Sequence, residues 1–303
     1  MAPRPGPTGG ALDGAGLAAG LRAMLAALRE REDELNRLNV FPVADHDTGT
    51  NLVRTLSGVV AAVEAAVEAA GDGELAAVAT AAAEAALLEG RGNSGTILAE
   101  ALRGLCQTWA PLGVVGPAEL VRGFQAAAER ADQAVLEPAE GTMLTVVRAT
   151  ARALEELPAD GVGRQLARAA EAAARAVAAT RDQLAALRRA GVVDAGGRGW
   201  ELCLRALAAS AGGVPPRPEP AGALAPSDAA PGPGYEVQYL LTCGEQDARA
   251  LEGQLHTIGE SVTLVRGDGR VRVHVHTDRP GAAIEVALRL GRVSRIEIAC
   301  LHR

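Results

Sequence analysis

Residues 39–51 have the sequence N-V-F-P-V-A-D-H-D-T-G-T-N, which places the carboxylates of Asp45 and Asp47 two positions apart. Hydroxyl and amide side chains follow at once, and oxygen donors spaced this closely suit Mg²⁺, which completes its shell with water and substrate phosphate. Pro42 and Gly49 indicate a turn rather than a regular element. The alternative interpretation is a solvated turn or a helix N-cap before a helix over 52–63. A lone acidic pair favours that alternative, but three further glycine-containing segments favour the metal site.

Most of the chain has the composition of packed helices. Between residues 15 and 211, alanine, leucine, glutamate and arginine predominate, and glycine or proline separates the helical stretches. Helices are predicted over 74–89, 96–109, 117–136, 143–157, 163–180, 182–189 and 199–209. Because no runs of β-branched residues alternate with them, the sequence predicts an all-α antiparallel bundle rather than a parallel α/β domain.

The composition changes at both ends of this helical region. Residues 1–14 are expected to be a disordered tail, and residues 212–234, with seven prolines, are expected to be a linker. The linker would tether the following domain unless an interface holds it. Strands are predicted over 235–242, 261–266, 270–276 and 293–299, and helices over 245–258 and 280–290. Residues 235–303 are therefore expected to form a small α+β domain with helices on one sheet.

The bulk composition argues against several classes of protein. The net charge is −7 and aromatic residues make up 2 %, which disfavours a nucleic-acid surface and stacking on single strands. The sequence contains no run of eighteen apolar residues, so no membrane span is predicted. The N-terminus lacks the apolar core of a signal peptide. The four cysteines are widely spaced, without a C-x-x-C pair, which favours buried thiols. We therefore expect a cytoplasmic protein with no nucleic-acid partner.

A second motif, G-R-G-N-S-G at residues 90–95, formally matches a dinucleotide-binding fingerprint. That fingerprint must follow a strand, whereas this one follows a predicted alanine-rich helix, so we reject dinucleotide binding. A glycine turn before a helix still exposes backbone N–H groups to a phosphate. The alternative is an ordinary helix–helix turn with glycine caps.

Two further helix starts have the same character. E-G-T-M at 140–143 offers free N–H groups with Met143 as an apolar wall, and V-V-D-A-G-G-R-G at 192–199 places Asp194 before three glycines. Each has a plain structural alternative, in which Thr142 or Asp194 only caps a helix. Taken together, four such loops in one bundle predict that one end of the bundle gathers a polyphosphate and its metal ions.

In this order, N-V-F-P-V-x-D-x-D-T-G-T-N, G-R-G-N-S-G, E-G-T-M-L-T-V and V-V-D-A-G-G-x-G resemble the DhaL domain, the nucleotide-binding domain of bacterial dihydroxyacetone kinases. The resemblance covers residues 15–211 and is strongest to the N-terminal domain of the fatty acid kinase family. The region 235–298, with V-H-V-H-T-D-x-P-G, is similar to the middle domain of the same kinases. The resemblance implies an antiparallel eight-helix barrel that binds ATP and Mg²⁺ and transfers the γ-phosphoryl group in line.

The resemblance also implies roles for individual residues. Asp45 and Asp47 would hold Mg²⁺ with Asn39 nearby, and these aspartates with Thr50 would form the catalytic set. The remaining implied contacts to phosphate, metal or nucleotide are Thr48, Gly49, Asn51, Gly92, Asn93, Ser94, Gly95, Thr142, Met143, Asp194, Ala195 and Gly196. All of these precede the predicted linker, so residues 1–211 are expected to bind nucleotide without the small domain.

The resemblance also bears on the phosphoryl acceptor. In the fatty acid kinases it is a fatty acid carboxylate on a separate carrier protein, which becomes an acyl phosphate. Glycerone phosphorylation is an alternative activity, and a nucleotide-binding module without catalysis is a second alternative. His46 and Ala44 depart from the glycine and proline usual in the family, and His46 adds an imidazole that could bind metal. The sequence leaves a homodimer open.

A second metal site is suggested in the small domain. His274 and His276 alternate along a predicted strand, so both imidazoles face one side, which suits Zn²⁺. The resemblance implies a zinc site completed by a cysteine, and Glu236 stands at the matching position. A carboxylate can bind zinc, although it gives a less sulfur-rich site. The alternatives are a solvent-facing histidine pair and Cys243 as the third ligand.

Overall fold

The computed structural model describes residues 10–70, 74–135, 138–156, 158–215, 234–267 and 269–301. The N-terminal domain contains ten helices among these residues. They are α1 (Gly14–Glu30), α2 (Glu32–Leu38), α3 (Thr48–Ala70), α4 (Leu75–Glu89), α5 (Gly92–Trp109), α6 (Pro117–Gln133), α7 (Met143–Glu156), α8 (Val162–Gln183), α9 (Ala185–Ala190) and α10 (Ala195–Ser210). Helices α2 and α9 are short, and the other eight pack in a ring in which α10 returns to α1. The predicted eight-helix barrel is therefore confirmed.

Local sequence signals explain where these helices begin and approach one another. Asp13 caps α1 by accepting a hydrogen bond from the backbone N–H of Gly16 at 2.8 Å, and Pro117 starts α6, where its missing N–H costs nothing. Helices α5 and α6 cross closely at Gly104, where a Cβ atom would lie 2.5 Å from the Ala126 carbonyl oxygen. Glycine at this position thus allows backbone-to-backbone contact inside the ring.

The barrel interior is filled mainly by leucine, valine and alanine, with three large aromatic side chains at its centre. Phe124 lies between Trp109 and Trp200, with ring centroids 6.5 Å and 6.1 Å apart. Both indole N–H groups are satisfied, since Trp109 donates to the Glu119 carbonyl and Trp200 donates to the Thr150 hydroxyl. A chain with few aromatics therefore places half of its phenylalanine, tyrosine and tryptophan residues in one buried cluster.

The small domain is a four-stranded antiparallel sheet with two helices on one face. Its strands lie in the order β2-β3-β1-β4, and its elements are β1 (Tyr235–Thr242), α11 (Glu245–His256), β2 (Glu260–Gly267), β3 (Arg270–Thr277), α12 (Pro280–Leu290) and β4 (Arg292–Cys300). Val237, Tyr239 and Leu241 alternate along β1 toward the helices, which buries them in a separate core. The predicted α+β architecture is confirmed.

The other face of this sheet packs against the helical domain. Arg272 of β3, which is buried, donates to the carbonyl oxygen of Leu88 near the C-terminal end of α4 at 2.7 Å. Burial lowers the pKa of this guanidinium to about 10. Leu87, Ala134 and Val265 form a small apolar cluster across the same boundary. The two domains are therefore joined by a packed interface in addition to the chain between them.

Several predicted boundaries differ from the structure. Leu12 is buried and pairs with Val115, and α1 starts at Gly14, so the tail expected over 1–14 is wrong for the residues nearest the helix. Helices α3, α5 and α10 each start four residues earlier than expected, because glycine in a first turn has the sequence character of a loop. Of the predicted linker, 216–233 lie outside the described residues, as do residues 1–9 of the tail. Among the described helices, none is both long and apolar enough to cross a bilayer.

Candidate active site

Four helices of the barrel begin around one cavity of about 380 Å³. These are α3, α5, α7 and α10, and their first turns supply most of the cavity wall. Each helix start directs the positive end of the helix dipole outward along its axis. The small domain forms the opposite wall. The predicted gathering of glycine loops at one end of the bundle is therefore seen in the structure.

The loop before α3 carries the two aspartates and is stabilised by hydrogen bonds from Asn39. The buried Asn39 amide donates to the Val43 carbonyl at 2.5 Å, and its oxygen accepts hydrogen bonds from the backbone N–H and the hydroxyl of Thr48. In the first turn of α3, Asn51 donates to Asp47 Oδ2 at 2.7 Å. Asn39 therefore fixes both ends of the loop, and Asn51 orients one of its carboxylates.

His46 lies between the two aspartates with a positive φ of 57°. This left-handed conformation is easiest for glycine, which explains why glycine is the usual residue in domains that this loop resembles. The His46 side chain is exposed and its Nδ1 lies 3.1 Å from the Asn36 carbonyl oxygen. It is not part of either metal-ligand group that the described residues form.

The charges around the aspartates are unbalanced. The pKa of Asp45 is raised to about 8, first by burial and then by the negative charges of Asp47 and Glu236. Burial and Glu236 also raise the pKa of Asp47. One oxygen of each of these three carboxylates lies within 4.8 Å of the others. A divalent cation would neutralise this cluster, so the donor set fits the Mg²⁺ expected from the sequence.

The G-R-G-N-S-G segment approaches the aspartate loop through Asn51. Gly92 has a φ of 56°, and a Cβ there would lie 2.4 Å from Asn51 Nδ2. Asn93 and Ser94 follow in the first turn of α5, whose N-cap residue Arg91 makes no capping hydrogen bond through its side chain. Phosphate oxygens could therefore take the free N–H groups of this turn.

The last two helix starts are linked to each other by Asp194. Its carboxylate caps α10 by accepting from Gly197 N at 2.7 Å and also accepts from the backbone N–H groups of Met143 and Gly196. Burial raises the pKa of Asp194 to about 6 in spite of these hydrogen bonds. The capping interpretation of Asp194 thus holds, while Met143 and Thr142 of α7 and Ala195 and Gly196 of α10 line the cavity.

Three predicted site residues lie away from the cavity. The Thr50 hydroxyl donates to Glu32 Oε1 at 2.8 Å and accepts from the Asn36 amide, so it faces α2. A Cβ on Gly49 would lie 2.3 Å from the Glu32 carbonyl oxygen, and a Cβ on Gly95 would lie 2.3 Å from the Thr55 hydroxyl. The structure thus gives Gly49 and Gly95 a packing role between helices. It brings the other sequence-predicted residues together around the cavity.

The small domain adds a polar wall to the same cavity. Glu236 of β1 pairs with His276 of β3, and the neighbouring pair is Gln238 and His274. Glu236 Oε2 lies 3.7 Å from His276 Nε2 and 4.0 Å from His274 Nδ1. Burial lowers the pKa of His274 to about 4, so its imidazole is neutral at neutral pH. Both ring nitrogens of His274 and Nδ1 of His276 are buried without a hydrogen-bond partner, which fits a metal ion bound by this group.

Part of this wall was not predicted from the sequence. Glu260, Ser261, Val262 and Thr263 of β2 line the cavity, and Thr263 donates from its hydroxyl to Asn93 Oδ1 at 2.5 Å. Ser261 has a φ of 53°, at an irregularity in the pairing of β2 with β3. These residues carry no motif, so only the packing of the two domains reveals them.

Comparison with known families agrees with this arrangement. A profile described as the DAK2 domain matches residues 42–209, and a profile described as the FakA-like middle domain of fatty acid kinases matches residues 232–303. The chain belongs to the DAK2 domain family. The resemblance drawn from the four motifs is therefore confirmed, and this DAK2-domain protein carries a FakA-like middle domain after its helical barrel.

Individual relatives extend beyond the present chain. Protein YloV of Bacillus subtilis (strain 168) is 30 % identical over 312 residues, which cover 95 % of this chain and 55 % of YloV. A Staphylococcus epidermidis (strain ATCC 12228) protein is 29 % identical over 292 residues, covering 89 % and 52 %. The chain spans about half the length of the curated relatives it matches. Among solved structures, the dihydroxyacetone kinase from C. freundii in complex with AMP-PNP and Mg²⁺ superposes with a TM-score of 0.46 at 20 % identity, covering 65 % of this chain and 34 % of that one.

Proposed function

We propose that this protein binds ATP with Mg²⁺ in the interdomain cavity and transfers the γ-phosphoryl group to a fatty acid carboxylate presented by a separate carrier protein. The observation that carries the proposal is the convergence of four helix starts and two paired aspartates on one cavity. Such an arrangement combines backbone donors for phosphate with carboxylates for its counter-ion. The match of residues 232–303 to the FakA-like middle domain of fatty acid kinases supports the acceptor.

Different parts of the cavity would contact the phosphates, the base and the metal ion of the nucleotide. The first turn of α5 offers backbone N–H groups to the phosphates, and Phe41, Ile97 and Met143 would supply apolar surface for the base. Asp45 and Asp47 would hold Mg²⁺, whose charge neutralises the phosphate oxygens during transfer. Asn51 holds Asp47 in position, and Asn39 holds the loop. Positioning of this kind provides most of the catalysis in phosphoryl transfer.

The acceptor chemistry is compatible with a cavity whose described titratable side chains are carboxyl groups and imidazoles. A fatty acid is already ionised at neutral pH, so its carboxylate can attack phosphorus without a general base. The product would be an acyl phosphate and ADP. Glycerone would instead have to lose a hydroxyl proton during the reaction, which needs a base at the right place.

A second metal ion is part of the proposal. The unsatisfied nitrogens of His274 and His276, with the Glu236 carboxylate, form a buried donor set of the type that binds Zn²⁺. Such an ion would stabilise the small domain by tying β1 to β3. Cys243 is not a member of either ligand group among the described residues.

The test is ATP turnover by the purified chain with candidate fatty-acid carrier proteins, with and without bound fatty acid. Asp45→Asn and Asp47→Asn are each expected to lower turnover by at least about a hundredfold, because each removes charge that the metal and phosphates require. Asp33→Asn, which changes an exposed carboxylate on the adjacent α2, is the matched control and should be silent. Phosphorylation of glycerone alone would overturn the acceptor, and tight Mg·ATP binding with no transfer to any acceptor would identify a binding module.

A further inference from the structure

The sheet of the small domain buries a row of polar side chains against the helical domain. Glu236, Gln238, His274 and His276 are all buried and lie on the sheet face opposite the α11 and α12 helices. A buried polar group without a partner is costly, and three imidazole nitrogens here have none. The row therefore contains potential ligand atoms that its own hydrogen bonds do not satisfy.

Glu236 connects this row to the aspartates of the barrel. Its carboxylate belongs to two ligand groups, one with His274 and His276 and one with Asp45 and Asp47, each with ligand atoms within 4.8 Å of one another. Its Oε2 faces both imidazoles, while its Oε1 accepts a hydrogen bond from the Gln238 amide. A carboxylate oxygen has two lone pairs, so Oε1 can take both this hydrogen bond and a metal ion.

We propose that Glu236 is a ligand shared by two cations, one held with Asp45 and Asp47 and the other held with His274 and His276. The small domain thereby completes the metal centre of the nucleotide site. This inference rests on the proposed function, since it takes the aspartate pair to be a metal site. It adds a site composed of residues from both domains, which neither domain contains alone.

The chemistry of a carboxylate fits this shared position. Carboxylate oxygen binds hard ions such as Mg²⁺ or Mn²⁺ and also binds zinc beside imidazole. A thiolate at the same position would serve the imidazole site but is a poor ligand for a hard cation. Glu236→Cys is therefore expected to separate the two functions of this side chain, whereas Glu236→Gln removes the charge from both.

The experiment uses the full chain freed of metal by a chelator and two paramagnetic probes. Mn²⁺ reports on the aspartate site by electron paramagnetic resonance titration, and Co²⁺ reports on the imidazole site by its visible absorption and by elemental analysis. In Glu236→Gln, the Kd for Mn²⁺ should rise at least about tenfold and stoichiometric Co²⁺ should be lost. In Glu236→Cys, Co²⁺ should remain, with a thiolate-to-cobalt absorption band, while Mn²⁺ binding is weakened as in Glu236→Gln.

Two further measurements make the result decisive. In the wild-type chain, Co²⁺ at the imidazole site should broaden the Mn²⁺ signal relative to Zn²⁺ at that site, because the two ions share one carboxylate. Glu285→Gln, an exposed carboxylate on α12, controls for the loss of one negative charge and should leave both affinities unchanged. Circular dichroism checks that each variant is folded. If Glu236→Gln does not fold, the Mn²⁺ affinity of Glu236→Cys decides.

The outcomes distinguish this inference from the proposed function. Wild-type binding of Mn²⁺ with unchanged affinity in the Glu236 variants would overturn the shared ligand and leave the aspartate site standing. Failure of the wild-type chain to bind Mn²⁺ with or without ATP would remove the proposed metal site itself. Loss of Mn²⁺ affinity in both Glu236 variants, with Co²⁺ kept in Glu236→Cys, would establish the composite centre.

Discussion

Asp194 shows how one side chain can organise two helix starts at the scale of a single residue. It is 7 % exposed and its carboxylate accepts backbone hydrogen bonds from both α10 and α7. The backbone N–H of Asp194 donates in turn to the Thr180 hydroxyl at 3.0 Å. Because this carboxylate is desolvated and faces no cation in its immediate hydrogen-bond set, its ionisation opposes folding.

We predict that Asp194→Asn removes a pH-dependent loss of folding stability. The folded pKa of about 6 exceeds the ordinary value of 3.8, so the stability contributed by protonated Asp194 is present below about pH 4 and is lost as pH rises to about 6. A shift of roughly two pH units corresponds to about 3 kcal/mol. Asparagine keeps the cap and does not ionise. Between about pH 4 and pH 6, the free energy of unfolding should therefore fall in the wild type relative to the variant. Urea unfolding at pH 4 and pH 7 measures the difference, and a constant gap between the two proteins would contradict the assignment.

A second prediction at this scale concerns Thr50, which the motif placed in the catalytic set. Its hydroxyl bonds to Glu32 and Asn36 of α2, so Thr50→Val should lower the free energy of unfolding by about 1 kcal/mol and leave the Kd for Mg·ATP unchanged. Thr50→Ser, which keeps the hydroxyl, should recover most of the stability. A tenfold loss of nucleotide affinity in Thr50→Val would show instead that the hydroxyl reaches the ligand.

At the scale of elements, the helices are joined by buried ion pairs as well as by apolar packing. Glu100 of α5 accepts from Arg103 at 2.6 Å and from Arg130 of α6 at 3.2 Å, and Arg103 is 2 % exposed. Arg103 also donates to the carbonyl oxygen of Arg266 in β2. Helix α5 therefore connects its neighbour in the ring to the small domain while its first turn lines the cavity.

We predict that Glu100→Ala destabilises the protein by about 3–5 kcal/mol, because it leaves the Arg103 guanidinium buried with its charge uncompensated. The matched control is Arg122→Ala, which breaks the pair with Glu119 at the same helical spacing but at the surface. That exposed pair should contribute less than about 1 kcal/mol. Thermal and denaturant unfolding of both variants measures the contrast, and equal losses would show that burial does not govern these pairs.

At the scale of the whole molecule, the interdomain cavity depends on the docking of one domain against the other. Arg272 and Arg295 both donate to the Leu88 carbonyl, where the negative end of the α4 dipole favours cations. At the wall of the cavity, the Thr263 hydroxyl donates a hydrogen bond to Asn93 Oδ1. The small domain thus forms a wall of the cavity, and residues of both domains line the cavity that contains most of the predicted nucleotide-binding residues.

We predict that Arg272→Met weakens this docking and raises the Kd for Mg·ATP. Methionine keeps the apolar stem but cannot donate to Leu88 or Gln238, so the buried contact to α4 is lost. The radius of gyration from small-angle X-ray scattering should increase and nucleotide affinity should fall by roughly tenfold, in line with about 1.4 kcal/mol. Arg270→Met, at an exposed position of the same strand, is the control. Scattering and affinity like those of the wild type would show that docking does not depend on Arg272.

The sequence by itself determined the elements and the loops. The glycine turns, the caps and the alternation along β1 and β3 depend on near neighbours in the chain, so the all-α bundle, the small sheet and the clustering of the glycine loops follow from local patterns. The eight-helix barrel and the roles of single site residues were implied by the resemblance to the DhaL domain. Only the tertiary structure decided the rest. It places Thr50, Gly49 and Gly95 in contacts between helices. It also brings Glu236 close to the aspartates of a loop about 190 residues earlier in the chain. A local pattern specifies how a segment folds, but the partner of a side chain depends on how distant segments pack, and that is decided by the shape of the whole core.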